Sequence, residues 1–275
     1  MRHLLRWAVC LGSVSLAAGL ALTACAPATP LPHGPVLPAH WVRFRHLAGV
    51  VDLAGPRGDG SFTVAAAGRL FTLTRAGVLR PFARRPGGYS TAIGPEPYVA
   101  MADGERVAGA GCSFPSGMIF ALQPGPRPGI IAIAPDGRAS RFTSLPAMAI
   151  PDGITFDTTG RFGHRLLVTA QHHGATMVLA IDCGGDVRTT ASHAPAMEGG
   201  IAVAPGSFGR YGGDLIAPSE TTGRVYAVRP DGTVVTLAVS GLPHGGDIGV
   251  ESVGFVPPGI RRRRRRVSRR PVLQG

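Results

Sequence analysis

Short apolar runs, broken by turn residues, recur along this chain. "GIIAIA" at 129–134, "RLLVTA" at 165–170 and "MVLAI" at 177–181 are nearly continuous in apolar character. They are too short for helices and show no helical period. Gly, Pro and Asp bound them, which reads as strands buried on both faces. Pro135-Asp136-Gly137 and Pro230-Asp231-Gly232 are turn signals. Proline presets one backbone dihedral there, and glycine is free to take positive φ.

The runs belong to a repeat. One copy starts at Pro151, "PDGITFDTTGRFGHRLLVTAQHHGATMVLAIDCGGDVRTTAS", and the next at Glu198, "EGGIAVAPGSFGRYGGDLIAPSETTGRVYAVRPDGTVVTLAVS". Gly153-Ile154-Thr155-Phe156 matches Gly200-Ile201-Ala202-Val203, and Phe162-Gly163 matches Phe208-Gly209. Each copy reads as four strands, placed in the second at 201–204, 214–217, 224–229 and 234–239. An earlier copy, "GRLFTLTRAGVLRPF", echoes "GRVYAV". First strands begin near Gly49, Tyr98, Gly153, Gly200 and Ser252, in steps of 49, 55, 47 and 52 residues. Four strands on such a period predict an all-β fold, a β-propeller of four-stranded blades spanning 40–258. A β-sandwich is the alternative architecture.

Four blades are complete in sequence, and "ESVGFVPPG" opens a fifth. The segment "HWVRFRHLA" (40–48) precedes the first blade and suits an outer strand that closes the ring by completing the last one. Counting four to five blades, we expect a propeller truncated from six.

Composition changes the picture mainly through charge. The net charge is +12, and every basic residue is Arg. Two arginines precede Cys25 and eight follow Gly259, which leaves 18 of the 28 against all 16 acids. The body is therefore close to neutral and implies no basic face. The terminal "GIRRRRRRVSRRPVLQG" is the source of the excess. We read 259–275 as a wrong-frame or truncation product of GC-rich DNA. The alternative is a basic tail for anionic lipid or wall polymers. Nucleic acid is set aside as a partner, because the tail has no aromatic residue to stack on bases.

Residues 1–24 read as an export signal, with a basic start at Met1 to Arg6 and an apolar stretch from Trp7 to Leu22. Leu22-Thr23-Ala24-Cys25 resembles the bacterial lipobox. That resemblance implies cleavage before Cys25, joining of its thiol to diacylglycerol, and display at the outer face of the cell membrane. Membrane lipid is then a partner through Cys25. The Pro-rich stretch 25–39 reads as a tether. Export places Cys112 and Cys183 in an oxidising compartment, where a disulfide and two free thiols both remain open.

The units "PDGITFDTTGRFG" and "PDGTVVTL", on this period, resemble the propellers of the senescence-marker/gluconolactonase and NHL-repeat group, over about 49–258. In the gluconolactonase branch a divalent cation, often calcium, sits at the channel mouth. It is held by a Glu, an Asn and an Asp at the starts of inner strands. Pro151-Asp152-Gly153 matches the family's Pro-Asn-Gly with Asp for Asn, and Glu198 and Glu251 head equivalent strands. The resemblance thus implies Asp152, Glu198 and Glu251 as an axial calcium site. The family's Glu-Gly-Pro-x-Trp element has no match here. The same three carboxylates equally suit turn caps that accept backbone N–H bonds. His172-His173 sits in a turn, and no Ser lies in a Gly-x-Ser-x-Gly setting.

These readings lead to three functional expectations. The first is an exported, lipid-anchored binding module for a sugar-like small molecule or an envelope partner. The second is a cation-dependent lactonase or esterase. The third is a non-functional fragment.

Overall fold

The computed structural model describes residues 43–83, 98–245 and 248–255. The signal at 1–24, the tether with Cys25, and the Arg-rich tail at 259–275 lie outside the described residues. Within them, strands form four antiparallel sheets. Blade 1 comprises β1 Val50–Ala54, β2 Phe62–Ala66, β3 Arg69–Leu73 and β4 Leu79–Phe82. Blade 2 comprises β5 Val99–Met101, β6 Ile119–Gln123, β7 Gly129–Ile133 and β8 Ala139–Ser144. Blade 3 comprises β9 Ile150–Phe156, β10 Leu166–His172, β11 Ala175–Ile181 and β12 Val187–Ala194. Blade 4 comprises β13 Ala202–Val203, β14 Leu215–Ser219, β15 Arg224–Val228 and β16 Val234–Val239. Each blade is a four-strand meander in chain order, and the inner strands β1, β5, β9 and β13 neighbour one another in sequence. This is a propeller arrangement. Four separate sheets exclude the sandwich.

Burial explains the sequence pattern. All five residues of β7 are buried, as are the first five of β10, because a middle strand is covered by the blades on both sides. The outer strand β8 has no buried residue and carries Arg, Ser and Thr. Three seams hold the blades together. Leu70, Ile119, Ile131 and Ile133 fill the first. The second is aromatic, with Phe120 edge-on to Phe114 (5.2 Å), Phe142 (5.0 Å) and Phe156 (5.6 Å). Such edge-to-face pairs add to the area they bury. Leu167, Val178, Leu215 and Tyr226 fill the third.

A repeated backbone contact sets the blade spacing. The turn before each outer strand carries a glycine at positive φ: Gly137 (87°), Gly185 (90°) and Gly232 (85°). Each turn rests on the outer strand of the preceding blade. A Cβ on Gly137 would meet Ala83 N at 3.3 Å and one on Gly185 would meet Phe142 O at 3.4 Å, while one on Gly232 would run into the Thr190 carbonyl. Blade 1 has the same turn. Its Gly77, at φ 76°, faces Phe44, 3.9 Å from a Cβ there. Phe44 thus occupies the outer-strand place of a blade preceding blade 1, where the sequence put 40–48. Residues 43–48 form no strand and pair in no ladder among the described residues.

The fifth unit opens as expected, by a bridge. Gly200 and Ser252 pair in parallel, with Gly200 N–H donating to Glu251 O at 2.9 Å and Val253 N–H to Gly200 O at 3.0 Å. Val253 and Phe255 lie on the far face of blade 4 over Ile216 and Ala227.

Gly232→Ala tests the spacing contact. It needs both a left-handed backbone and room that the Thr190 carbonyl fills. We expect a loss of more than about 1 kcal/mol in urea denaturation. Alanine at exposed Gly206, where a Cβ meets nothing, is the control.

Candidate functional site

A meander fixes which loops share an end. Connections that enter inner strands lie beside the turns between second and third strands. Asp152, Glu198, Glu251 and the β10–β11 and β14–β15 turns therefore gather at one end, the entry end. The β5–β6 and β11–β12 connections lie at the other.

At the entry end the inner-strand heads meet around Gly199. A Cβ on Gly199 would overlap the Glu251 carbonyl and stand 3.1 Å from the Tyr98 hydroxyl. A Cβ on Gly153 would stand 2.7 Å from Gly199 O and 2.6 Å from Thr169 Oγ1. Only glycine lets strands from blades 2, 3 and 4 and the fifth unit approach so closely.

The three sequence-predicted carboxylates are placed here and are not brought together. Asp152 is the unpaired residue of a bulge, since Thr169 faces Gly153 and Ala170 faces Pro151. Its carboxylate is buried and accepts from Gln171 Nε2 at 3.5 Å. Glu198 accepts from Thr221 Oγ1 at 2.8 Å. Glu251 is exposed and meets Gly200 through its backbone oxygen. Among the described residues no group of three or more His, Cys, Asp and Glu stands within reach of one ion. The residues therefore do not fit a shared calcium site. Asp152 and Glu198 have side-chain amide and hydroxyl partners instead.

The axis itself holds a cavity of about 310 Å³ between the inner strands, with Asp52, Thr155 and Ser252 among its walls. Asp52 is the residue that sequence reasoning missed. It lies half-buried in β1 and accepts Leu53 N–H at 2.7 Å and Val99 N–H at 2.8 Å. The second bond ties blade 1 to blade 2, because Val99 opens the next inner strand. Burial pushes the Asp52 carboxyl above its ordinary value, and the Val99 and Leu53 N–H groups pull the other way. A lone acid inside "GVVDLAG" was the available signal. An acid in an apolar strand has to face a polar channel or a donor.

At the opposite end Cys112, in the β5–β6 connection, is disulfide-bonded to Cys183, in the β11–β12 turn, with Cα atoms 6.0 Å apart. The bond joins blade 2 to blade 3 beside their aromatic seam. His172 and His173 contact each other ring to ring at 4.0 Å in the β10–β11 turn.

No protein-family model and no curated protein matches the chain. Solved structures do. Virginiamycin B lyase from Staphylococcus aureus aligns with 69% of this chain and 55% of its own, at 11% identity and a TM-score of 0.44. A gluconolactonase from Xanthomonas campestris aligns with 72% of this chain and 63% of its own, at 16% identity and a TM-score of 0.47. A nidogen/laminin complex aligns with 68% of this chain and 64% of its own, at 16% identity and a TM-score of 0.49. The chain thus spans little more than half the length of the lyase. Gluconolactonase and nidogen/laminin structures are among its neighbours, and the activities of these proteins are said of them alone.

Two predictions follow from the geometry. The Cys112–Cys183 bond closes a separation of 71 residues, so Cys112→Ser with Cys183→Ser should lose up to about 4 kcal/mol of stability in urea denaturation. Asp52 and Asp214 both have carboxyls raised by burial. The folded state then binds more protons than the unfolded one between the ordinary and the raised values. Stability should fall as pH rises through that window. Urea midpoints measured from about pH 4 to 7 should show this fall. Asp52→Asn should flatten it and leave the part due to Asp214.

Proposed function

We propose that this chain is an exported, lipid-anchored binding module whose axial cavity takes a sugar-like small molecule. The axial cavity carries the reading. At about 310 Å³ it has the size of a monosaccharide site, with a carboxylate and hydroxyls set among apolar inner strands. Asp52, Thr155 and Ser252 are the groups we assign to the ligand's hydroxyls. Asp52 is the chief acceptor, held in place by two backbone N–H bonds. The Leu22-Thr23-Ala24-Cys25 motif supports acylation at Cys25, and the disulfide supports an oxidising location. The diacylglycerol on Cys25 would bring two acyl chains, which suits stable anchoring, and the Pro-rich 25–39 gives reach. We do not carry the calcium-dependent lactonase reading forward, because its ligand set does not converge.

The test is calorimetry of the full chain against monosaccharides and their lactones, with and without calcium. Binding that weakens by about tenfold in Asp52→Asn supports the reading. No binding by any member overturns it, and so does lactone turnover that EDTA abolishes. In cells, Cys25→Ala should lose fatty-acid label and move the protein into the medium. A membrane-bound, unlabelled variant would overturn the anchor.

A further inference from the structure

The seam between blades 3 and 4 holds a second recess, of about 420 Å³, away from the axis. Phe162 lies in its floor, Arg188 and Thr189 of β12 form one wall, and Asp231 of the β15–β16 turn forms the other. Arg161 and Arg165, from the β9–β10 loop, close one end.

The loop that carries these two arginines is fixed. The Asp157 carboxylate collects the N–H groups of Phe162 at 2.6 Å, His164 at 3.0 Å and Gly160 at 3.1 Å. Arg165 is fixed as well, donating to Phe162 O at 3.3 Å and Ala108 O at 3.0 Å. Its buried Nε has no hydrogen-bond partner among the described residues, which leaves its charge incompletely compensated. The Arg161 stem packs on Gly213, and its Nη2 stands 3.7 Å from Asp214 Oδ1. Arg229 stands 4.0 Å from the other Asp214 oxygen. Arg188 is exposed and makes no hydrogen bond or ion pair among the described residues.

The acids here do not balance these groups. Asp214 is buried and shared between Arg161 and Arg229. Asp231 accepts the Thr233 N–H at 2.9 Å, which lowers its carboxyl, and keeps its negative charge at the solvent edge. Arg161, Arg165, Arg188 and the nearby Arg229 thus stand with three carboxylates, counting Asp157 beneath the loop, an excess of one positive charge. Elsewhere in the body the arginines and acids nearly cancel. A neighbouring recess of about 390 Å³ shares Thr189, Thr190 and Asp231 and runs on to Ser192 and His193. The two together make a trough with cations at one end and hydroxyls along its length.

We propose that this trough binds an oxyanion, the phosphate or carboxylate group of an extended, hydroxyl-bearing ligand. A planar guanidinium with parallel N–H donors suits both groups, and Arg188 is the one with donors to spare. Arg161 and Arg165 supply a fixed positive field. Thr190 and Ser192 offer hydroxyls to the ligand.

The test is amide NMR on the full chain, titrated with inorganic phosphate in one arm and glucuronate in the other. The arm with the larger response identifies the source of the oxyanion. We expect shifts at Arg188, Thr189 and Asp231, and affinity weakened about tenfold in Arg188→Gln. Arg80→Gln, on the exposed outer strand of blade 1, removes the same charge and should change nothing. Asp52→Asn should also leave this binding intact, which separates it from the axial cavity. Arg188 is exposed, so its variant should keep the wild-type melting temperature. Shifts absent in both arms, or an equal loss in Arg188→Gln and Arg80→Gln, would overturn the proposal.

Discussion

Everything in this molecule depends on how one blade rests on the next. A four-stranded meander with both faces apolar has no stable existence alone, because each face needs a neighbour. The fit between neighbours is set by a backbone contact as much as by side chains. Gly137, Gly185 and Gly232 each lay a turn on the preceding outer strand, at intervals of 48 and 47 residues. Only glycine gives both the left-handed turn and the missing Cβ. At the axis, Gly153, Gly199 and Gly200 play the matching part and draw the inner-strand heads together. Spacing held at the rim and at the hub leaves a narrow axial cavity. Asp52 survives in it because two N–H groups of inner strands reach its oxygens.

The fold was largely legible in the sequence, and for a physical reason. Middle strands covered on both faces produce continuous apolar runs, and the docking turns demand a glycine, as in Pro-Asp-Gly and Gly-Gly. Pattern and period therefore come from the same contact. The limits of the reading were local. The strand expected at 201–204 shrinks to Ala202–Val203, since Gly200 spends its N–H and C=O on the fifth unit instead of on blade 4. β9 starts at Ile150, earlier than the Gly153 of the repeat, because a bulge at Asp152 lets pairing continue past it.

The site was legible only as a location. Asp152, Glu198 and Glu251 head successive inner strands, and the period alone puts them at one end. Whether three carboxylates converge depends on side-chain direction, which the period does not carry. The bulge turns Asp152 toward Gln171, Thr221 captures Glu198, and Glu251 stays in solvent. Asp52 was hidden for the opposite reason. It sits inside an apolar run, where its partner, Val99 N–H, belongs to another blade 47 residues away. The disulfide stayed open for the same cause, since Cys112 and Cys183 meet only when blades 2 and 3 are docked.

The seams differ in what holds them, and this decides where ligands have room. Between blades 2 and 3 four phenylalanines interlock and the disulfide pins the far end. Between blades 3 and 4 the core mixes aliphatic side chains with Phe162 and Tyr226, and its rim is held by Arg161 and Arg229 around a buried Asp214. One carboxylate between two cations settles neither fully, and Asp214 Oδ2 keeps no hydrogen bond. A rim built from long, partly exposed side chains cannot close as tightly as interlocked edge-on rings do. The recess lined with arginine and threonine follows from that looser closure.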